Sequence, residues 1–297
     1  MAKIRVGERP QIVEEIHFRS ESAFLCLLLN RRTKIIRVID FRAGALPAKR
    51  LFIQFIAQRE GVEKVITLVE KDEVSSWTRV GFVREGTIPG FYKRSDGHLV
   101  GCVIGERTAS IEVGEDGQKL AEKTINFAKR TAKALEEEIR GVTLKGVEAP
   151  VALAARDEAW GKGLGLGSFD PFGRGVLRLF LEASMKKSKP NYISAEFQDC
   201  FGHALVEILR SPTDDAEILS VSAGLRAFAE ELKRRGIVSA FGFAPSDDVN
   251  LSVAYLGAGF RKTGLLARGI LVKDRRADAI LWTRKLSNPG GEDDEDL

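Results

Sequence analysis

The sequence is poor in cysteine and histidine and has no long apolar run. Its three cysteines, Cys26, Cys102 and Cys200, include no CxxC pair and cannot form a complete disulfide set. The longest apolar run, residues 23–29, is far shorter than the ~20 residues of a membrane-spanning helix. The first ten residues lack the apolar centre of a secretion signal. These absences argue against a disulfide scaffold and a membrane partner, and they predict a cytoplasmic protein.

The charge is distributed unevenly along the 297 residues. The whole chain carries +4, but the acidic segment 292–296 holds five negative charges, which leaves the remaining residues at +9. A basic body favours anionic partners such as nucleotides, coenzyme A or nucleic acid, although scattered basic residues equally serve solubility. Nucleic acid is the least expected of these partners, because no basic motif is interleaved with aromatic residues. Residues 287–297 are predicted to form a disordered acidic tail.

Two stretches of the sequence share one order of predicted elements. Residues 34–104 and 203–285 each indicate strand, helix, strand, helix, strand, strand. Their letters also align, with Gly61 on Gly236 and with the Gly-Phe pair 81–82 on 259–260. We interpret this match as an internal duplication. It predicts an N-terminal domain at 1–110, a connecting helix and linker at 111–149, and a C-terminal domain at 150–286. Each domain is expected to be of the α/β class, a mixed β-sheet flanked by helices.

Two segments between the repeats have distinct compositions. Apolar residues recur at helical spacing between Gly117 and Arg140, which predicts an amphipathic helix packed on a flanking domain. Residues 161–175 contain six glycines and predict an irregular loop. Their spacing matches neither the P-loop nor the dinucleotide-binding fingerprint.

The segment AYLGAGFRKTG, residues 254–264, resembles the end of GNAT-superfamily N-acyltransferases, in which a helix with a tyrosine leads into a Gly-Phe pair. The layout of VGFVREGTIPGFYKRSDGHLVG, residues 80–101, followed by a second such domain, resembles the beta-lysine N-acetyltransferase branch of that superfamily. The resemblance implies a sheet splayed in the middle, acetyl-CoA as co-substrate in the splay, and its pyrophosphate on backbone amides where a strand turns into a helix. It also implies acetyl transfer to an amine of a small molecule or to a protein lysine.

The resemblance places the catalytic groups in the second repeat. Tyr255 stands five residues before Phe260, where the general acid of the family protonates the departing thiolate. Glu207 or Glu196 is the candidate base for the attacking amine. In the first repeat the corresponding residue is Trp77, whose indole cannot supply a proton near neutral pH. The alternative interpretation of Tyr255 is a core aromatic on an amphipathic helix.

Charge places the pyrophosphate in the first repeat instead. The candidate cofactor-binding residues of that turn are Arg42, Gly44, Lys49 and Arg50. The turn of the second repeat has no glycine, and its Asp214 and Glu217 predict a capping box in which carboxylates occupy the free amides. Repulsion between unit charges a few ångströms apart, about 1–4 kcal/mol, exceeds helix-end attraction of about 0.3–1 kcal/mol.

Three functions stay open. The first is a working acetyl-CoA-dependent N-acyltransferase, and the second is a catalytically degenerate GNAT-like protein that binds or regulates. The third, nucleic-acid binding by the basic body, is the least expected. The degenerate alternative is favoured by the loss of the glycine turn in one repeat and of the tyrosine in the other. Cys200 and His203 lie three residues apart without a second ligand cluster, so we interpret them as packing residues and predict no metal site.

Overall fold

The computed structural model describes residues 13–19, 24–39, 46–105, 112–135, 141–167, 177–186, 188–198, 202–273 and 275–287. The strands are β1 (Val13–Arg19), β2 (Phe24–Asn30), β3 (Ile35–Ile39), β4 (Lys64–Val69), β5 (Val83–Ile88), β6 (Gly97–Val103), β7 (Val142–Gly146), β8 (Leu166–Gly167), β9 (Leu177–Met185), β10 (Asn191–Phe197), β11 (His203–Ile208), β12 (Ser239–Pro245), β13 (Arg261–Val272) and β14 (Arg275–Lys285). The helices are α1 (Leu46–Arg59), α2 (Val74–Arg79), α3 (Glu115–Leu135), α4 (Ala149–Gly161), α5 (Asp215–Arg234) and α6 (Val249–Gly257).

The two halves of the chain repeat one topology. The first half runs β2, β3, α1, β4, α2, β5, β6, and the second runs β10, β11, α5, β12, α6, β13, β14. The strands lie side by side as β2-β3-β4-β6-β5 and as β10-β11-β12-β14-β13, which is the same order. In each half the neighbours joined through the long helix, β3–β4 and β11–β12, are parallel. The predicted mixed α/β fold and its repeated element order are confirmed.

The two half-sheets form one 14-stranded sheet. They join through β5 and β13, which pair antiparallel at Gly86 and Gly264. Beside this junction a buried ion pair links the halves: the Lys64 ammonium lies 2.5 Å from the Glu85 carboxylate and donates to the Ala267 carbonyl at 2.8 Å. The Ala267 amide donates to the same Glu85 oxygen, so the charges are hydrogen-bonded from both halves.

The first-half sheet is covered on both faces. One face packs beneath α1, where Ile53 and Ile56 join Ile36 and Val38 in an apolar cluster, called here the first-half cluster. The alternate residues of the same strands, among them Ile35, belong to the large cluster centred on the second half, called here the second-half cluster. The face of the first-half sheet away from α1 therefore packs against the second half of the chain.

The connecting helix was predicted at 117–140 and is observed as α3. Its apolar stripe is buried and packs against α6, as expected, through Ala121, Ile125 and Ala128. The segment expected as linker also contains β7, which pairs with β9 at the edge of the second-half sheet. Within the described residues no helix is long and apolar enough to cross a membrane.

Two local expectations were wrong. The run TIPGFYK, residues 87–93, predicts a strand. The observed strand lies earlier, at Val83–Ile88, because Gly90 and Lys93 adopt positive φ and turn the chain back towards β6. The glycine-rich segment is not irregular throughout, since Leu166 and Gly167 form β8 against β13. Gly165 allows close packing there, because a Cβ at this position would lie 2.7 Å from the Trp160 ring. Residues 168–176 of this segment lie outside the described residues.

Candidate functional site

The parallel pair of the second half is hydrogen-bonded over only part of its length. The ladder between β11 and β12 ends where Leu205 meets Phe241, although both strands continue for several residues. Val206 is the first β11 residue beyond the ladder. The Tyr255 hydroxyl, carried by α6, donates to the Val206 carbonyl at 3.5 Å. The structure therefore places the predicted acid where the central strands cease to pair.

Tyr255 is part of the protein core. It is 0% exposed, its ring stacks on Trp282 at 5.8 Å, and it meets the edge of Phe260 at 5.3 Å. The hydroxyl fits against β12 because residue 242 is glycine, and a Cβ there would collide with the oxygen of Tyr255. Burial, reinforced by the charge of Glu207, raises the pKa of Tyr255 above its ordinary value. The phenol therefore keeps its proton at neutral pH.

In the first half, a different residue donates the hydrogen bond to the equivalent strand carbonyl. Trp77 takes the position of Tyr255 and packs edge-on against Phe82 at 4.9 Å. At the equivalent strand carbonyl, that of Val38, the donor is the Thr67 hydroxyl at 3.0 Å. Thr67 is the repeat equivalent of Gly242. Aligning the repeats places threonine against glycine and tryptophan against tyrosine, which is the sequence signal of this exchange.

The two candidate bases lie on the other face of the second-half sheet. Glu207 on β11 and Glu196 on β10 are diagonal neighbours, because Glu196 pairs with Leu205. Glu196 is 6% exposed, accepts from Arg178 at 2.9 Å through Oε1, and has no hydrogen-bond partner on Oε2 within the described part of the chain. Burial and the charge of Glu207 raise the pKa of Glu196. A raised carboxyl pKa suits a general base near neutral pH.

The N-terminus of α5 is capped by side chains of its own first turn and of the residues just before it. Asp214 accepts from the Glu217 amide at 2.9 Å, as the predicted cap requires. The Glu217 carboxylate accepts from the Thr213 amide and hydroxyl and from both terminal nitrogens of Arg210, all at 2.8–2.9 Å. Burial opposes its ionisation, but the bonds from Arg210 and Thr213 prevail and lower the pKa of Glu217 to about 2. A pyrophosphate does not fit this helix end.

The candidate phosphate residues of the first half are only partly described. Arg42 and Gly44 lie outside the described residues. Lys49 is 1% exposed, and Arg50 donates to the Cys102 thiol at 3.1 Å and lies over the Phe82 ring at 5.4 Å. Lys49 and Arg50 lie on α1, which packs in the first-half cluster, whereas Tyr255 belongs to the second-half cluster.

His203 joins the halves through packing. Its ring stacks on Phe91 with centroids 3.4 Å apart, and its Nδ1 lies 2.8 Å from the Phe91 carbonyl oxygen. Burial lowers the pKa of His203 to about 3, so the ring is neutral at pH 7. Cys200, its expected neighbour, lies outside the described residues. No group of three or more potential metal ligands occurs among the described residues.

Among known proteins, the chain is similar only to solved structures. No known protein-family description matches the chain, and no curated protein matches it. The spermidine N-acetyltransferase of Vibrio cholerae in complex with CoA and spermine is 10% identical with a TM-score of 0.37, over 50% of this chain and 98% of that one. The ribosomal-protein-S18-alanine N-acetyltransferase of Escherichia coli is 18% identical with a TM-score of 0.34, over 51% and 97%. Each neighbour thus spans about half of this chain, and the function proposed below rests on the geometry of the chain's own residues.

Proposed function

We propose that this protein transfers an acetyl group from acetyl-CoA to an amine of a small molecule or of a lysine side chain, at the point where β11 and β12 separate. One observation carries the proposal: the Tyr255 hydroxyl meets the backbone at Val206, the first β11 residue beyond the parallel ladder. A protonated phenol at this point can supply the proton that a departing thiolate needs.

The chemistry requires one proton donor and one acceptor. The thioester of acetyl-CoA supplies the acetyl group. Its carbon–sulfur bond breaks as a new bond forms between the acetyl carbon and the amine nitrogen. Tyr255 gives its proton to the leaving sulfur, and Glu207 or Glu196 takes the proton of the amine. The acid and the two bases lie on opposite faces of one sheet, so the separation of β11 from β12 is the route that connects them.

We propose the first-half turn, with Arg42, Gly44, Lys49 and Arg50, as the pyrophosphate site. The self-capped N-terminus of α5 supports this choice, because Asp214 accepts from the Glu217 amide there and the Glu217 carboxylate adds a negative charge that a pyrophosphate would meet. Since α1 and Tyr255 lie in different clusters, phosphate binding and proton donation are separate proposals with separate variants. The change Arg42→Glu is expected to weaken acetyl-CoA binding, measured by calorimetry, and unchanged affinity would contradict the phosphate site.

The test of the catalytic proposal combines thiol release with thermal unfolding. Tyr255→Phe keeps the ring and removes the proton donor, so it is expected to lower kcat by more than about tenfold, within the range typical of general acids. Trp77→Phe, at the equivalent position of the first half, is the matched control and should leave kcat unchanged. A loss below tenfold in Tyr255→Phe would make the residue a core aromatic.

A second candidate is a binding or regulatory protein that has kept the fold without the chemistry. The filled helix end at Glu217 and the complete burial of Tyr255 favour it. This candidate predicts that the purified protein releases no thiol from acetyl-CoA with any amine, whether or not acetyl-CoA binds. Measurable turnover that depends on Tyr255 would exclude it.

A further inference from the structure

One row of residues crosses the second-half sheet at the end of the parallel ladder. Arg178 on β9 pairs directly with Glu196 on β10, which in turn pairs with Leu205 on β11. Leu205 pairs with Phe241 on β12, and this is the last rung before β11 and β12 separate. Glu196 therefore stands one strand away from the place at which the separation begins.

The two oxygens of the Glu196 carboxylate have different surroundings. Oε1 accepts from Arg178 Nε at 2.9 Å across the strand pair. Oε2 is buried and has no hydrogen-bond partner within the described ranges. The Glu196 side chain is 8% exposed, whereas the Arg178 side chain is 44% exposed and stays in contact with solvent. A charged hydrogen bond thus holds one oxygen in place, and the other oxygen can accept a proton or an N–H group.

Ionisable groups from both halves of the chain lie near this carboxylate. Glu207 and His203 occupy its two diagonal positions on β11, and Arg178 lies directly opposite it on β9. The imidazole of His203 is neutral at neutral pH. Burial and the charge of Glu207 raise the pKa of Glu196, while the charges of Arg178 and of Arg32 in the first half oppose this rise. Arg178 therefore limits how far the pKa of the carboxyl rises.

We propose that Glu196 is the base that takes the proton of the amine, and that Arg178 is the residue that positions it. This inference rests on the proposed acetyl transfer and selects between its two candidate bases. The proton leaves the amine nitrogen for Glu196 Oε2 as the nitrogen–carbon bond forms, while Oε1 stays bound to Arg178. Glu207 acts through its charge, which favours protonation of the neighbouring carboxylate.

The first test follows the titration of Glu196 itself, by NMR of the full chain isotopically labelled at the glutamate carboxyls. The resonance that disappears in Glu196→Gln identifies the residue. Arg178→Gln is expected to move its midpoint to higher pH by about 1 pH unit, because an attractive charge is lost. An unchanged midpoint would overturn the positioning role, and this result does not depend on acetyltransferase activity.

Arg59→Gln is the matched control for this titration. Arg59 Nε donates to Glu60 Oε1 at 2.7 Å, which is the same kind of contact as that between Arg178 and Glu196. Its side chain is 51% exposed, and it lies on α1 of the first half. Arg59→Gln should leave the midpoint of Glu196 unchanged. An equal change in both arginine variants would show that the contact with Arg178 is not the cause.

The second test measures kcat/KM against pH for acetyl transfer to propylamine and to Nα-acetyllysine. A base must be deprotonated, so kcat/KM rises with pH through its pKa. In Arg178→Gln this rise should move to higher pH and reach the same plateau, and Arg178→Lys, which keeps the charge, should restore it. The ionisation of the amines contributes equally to every variant. An equal loss at all pH values would make Arg178 a structural residue and overturn its role.

Glutamine variants of the two carboxylates test the choice of base. Glu196→Gln is expected to lower kcat/KM by about a hundredfold or more. Glu207→Gln should move the rise to lower pH, because a like charge next to Glu196 is lost. The reverse pattern would overturn the choice of Glu196. If the native chain acetylates neither amine, the proposed acetyl transfer and the role of Glu196 as base fail together, whereas the titration still decides whether Arg178 holds this carboxylate.

Discussion

Gly86 and Gly264 face each other where the two halves of the sheet meet, and they are equivalent residues of the repeat. A Cβ on Gly264 would lie 2.5 Å from the Glu85 carbonyl oxygen and 2.7 Å from the Gly86 Cα. Because those atoms are backbone, they cannot move aside as a side chain would. The same position of each repeat therefore forms the close contact that makes one sheet from two.

Gly264→Ala should destabilise the protein by about 1–3 kcal/mol through overpacking at this junction. Gly86→Ala should cost less, because its nearest neighbour is the flexible Leu281 side chain. Gly146→Ala on β7 is the control, since a Cβ there meets nothing within 4 Å. Denaturant unfolding measures all three, and an unchanged midpoint for Gly264→Ala would show that the junction relaxes.

The exchange between Tyr255 with Gly242 and Trp77 with Thr67 predicts a coupled pair of substitutions. Gly242→Thr alone collides with the Tyr255 hydroxyl, and Tyr255→Trp alone leaves the Val206 carbonyl without its donor. The double variant recreates the arrangement of the first half, in which threonine donates to the strand carbonyl. Its loss in unfolding free energy is expected to be smaller than the sum of the single losses by about 1 kcal/mol or more. Additive losses would mean that positions 242 and 255 are not coupled, and that the threonine–tryptophan arrangement of the first half does not replace the glycine–tyrosine arrangement of the second.

The Glu217 carboxylate should stabilise the protein in a pH-dependent way. Its pKa falls from 4.5 to about 2 on folding, so its contribution is complete above pH 4.5 and is lost as pH falls towards 2. Glu217→Gln should cost roughly 3–5 kcal/mol at pH 7, because Arg210 and the Thr213 donors lose a buried partner. Glu231→Gln on the same helix breaks surface ion pairs and should cost much less than Glu217→Gln. Equal costs for the two variants would contradict the role of Glu217.

His203 should make the protein sensitive to mild acid. Its pKa is lowered from 6.5 to about 3, so the unfolded chain binds a proton that the folded chain excludes. Stability is therefore highest above pH 6.5 and falls by roughly 1.4 kcal/mol per pH unit down to about pH 3. In His203→Gln this slope should disappear, while the wild-type chain retains it. Parallel stability curves for the two proteins between pH 6.5 and pH 4 would show that the imidazole is not buried as described.

The sequence by itself determined the element order that the two repeats share and the cap at Asp214, because these depend on local periodicity and on side chains a few residues apart. Several consequences belong to the tertiary structure alone, since they depend on residues brought together from distant parts of the chain. The burial of Tyr255 against Trp282 and the pairing of Gly86 with Gly264 are of this kind.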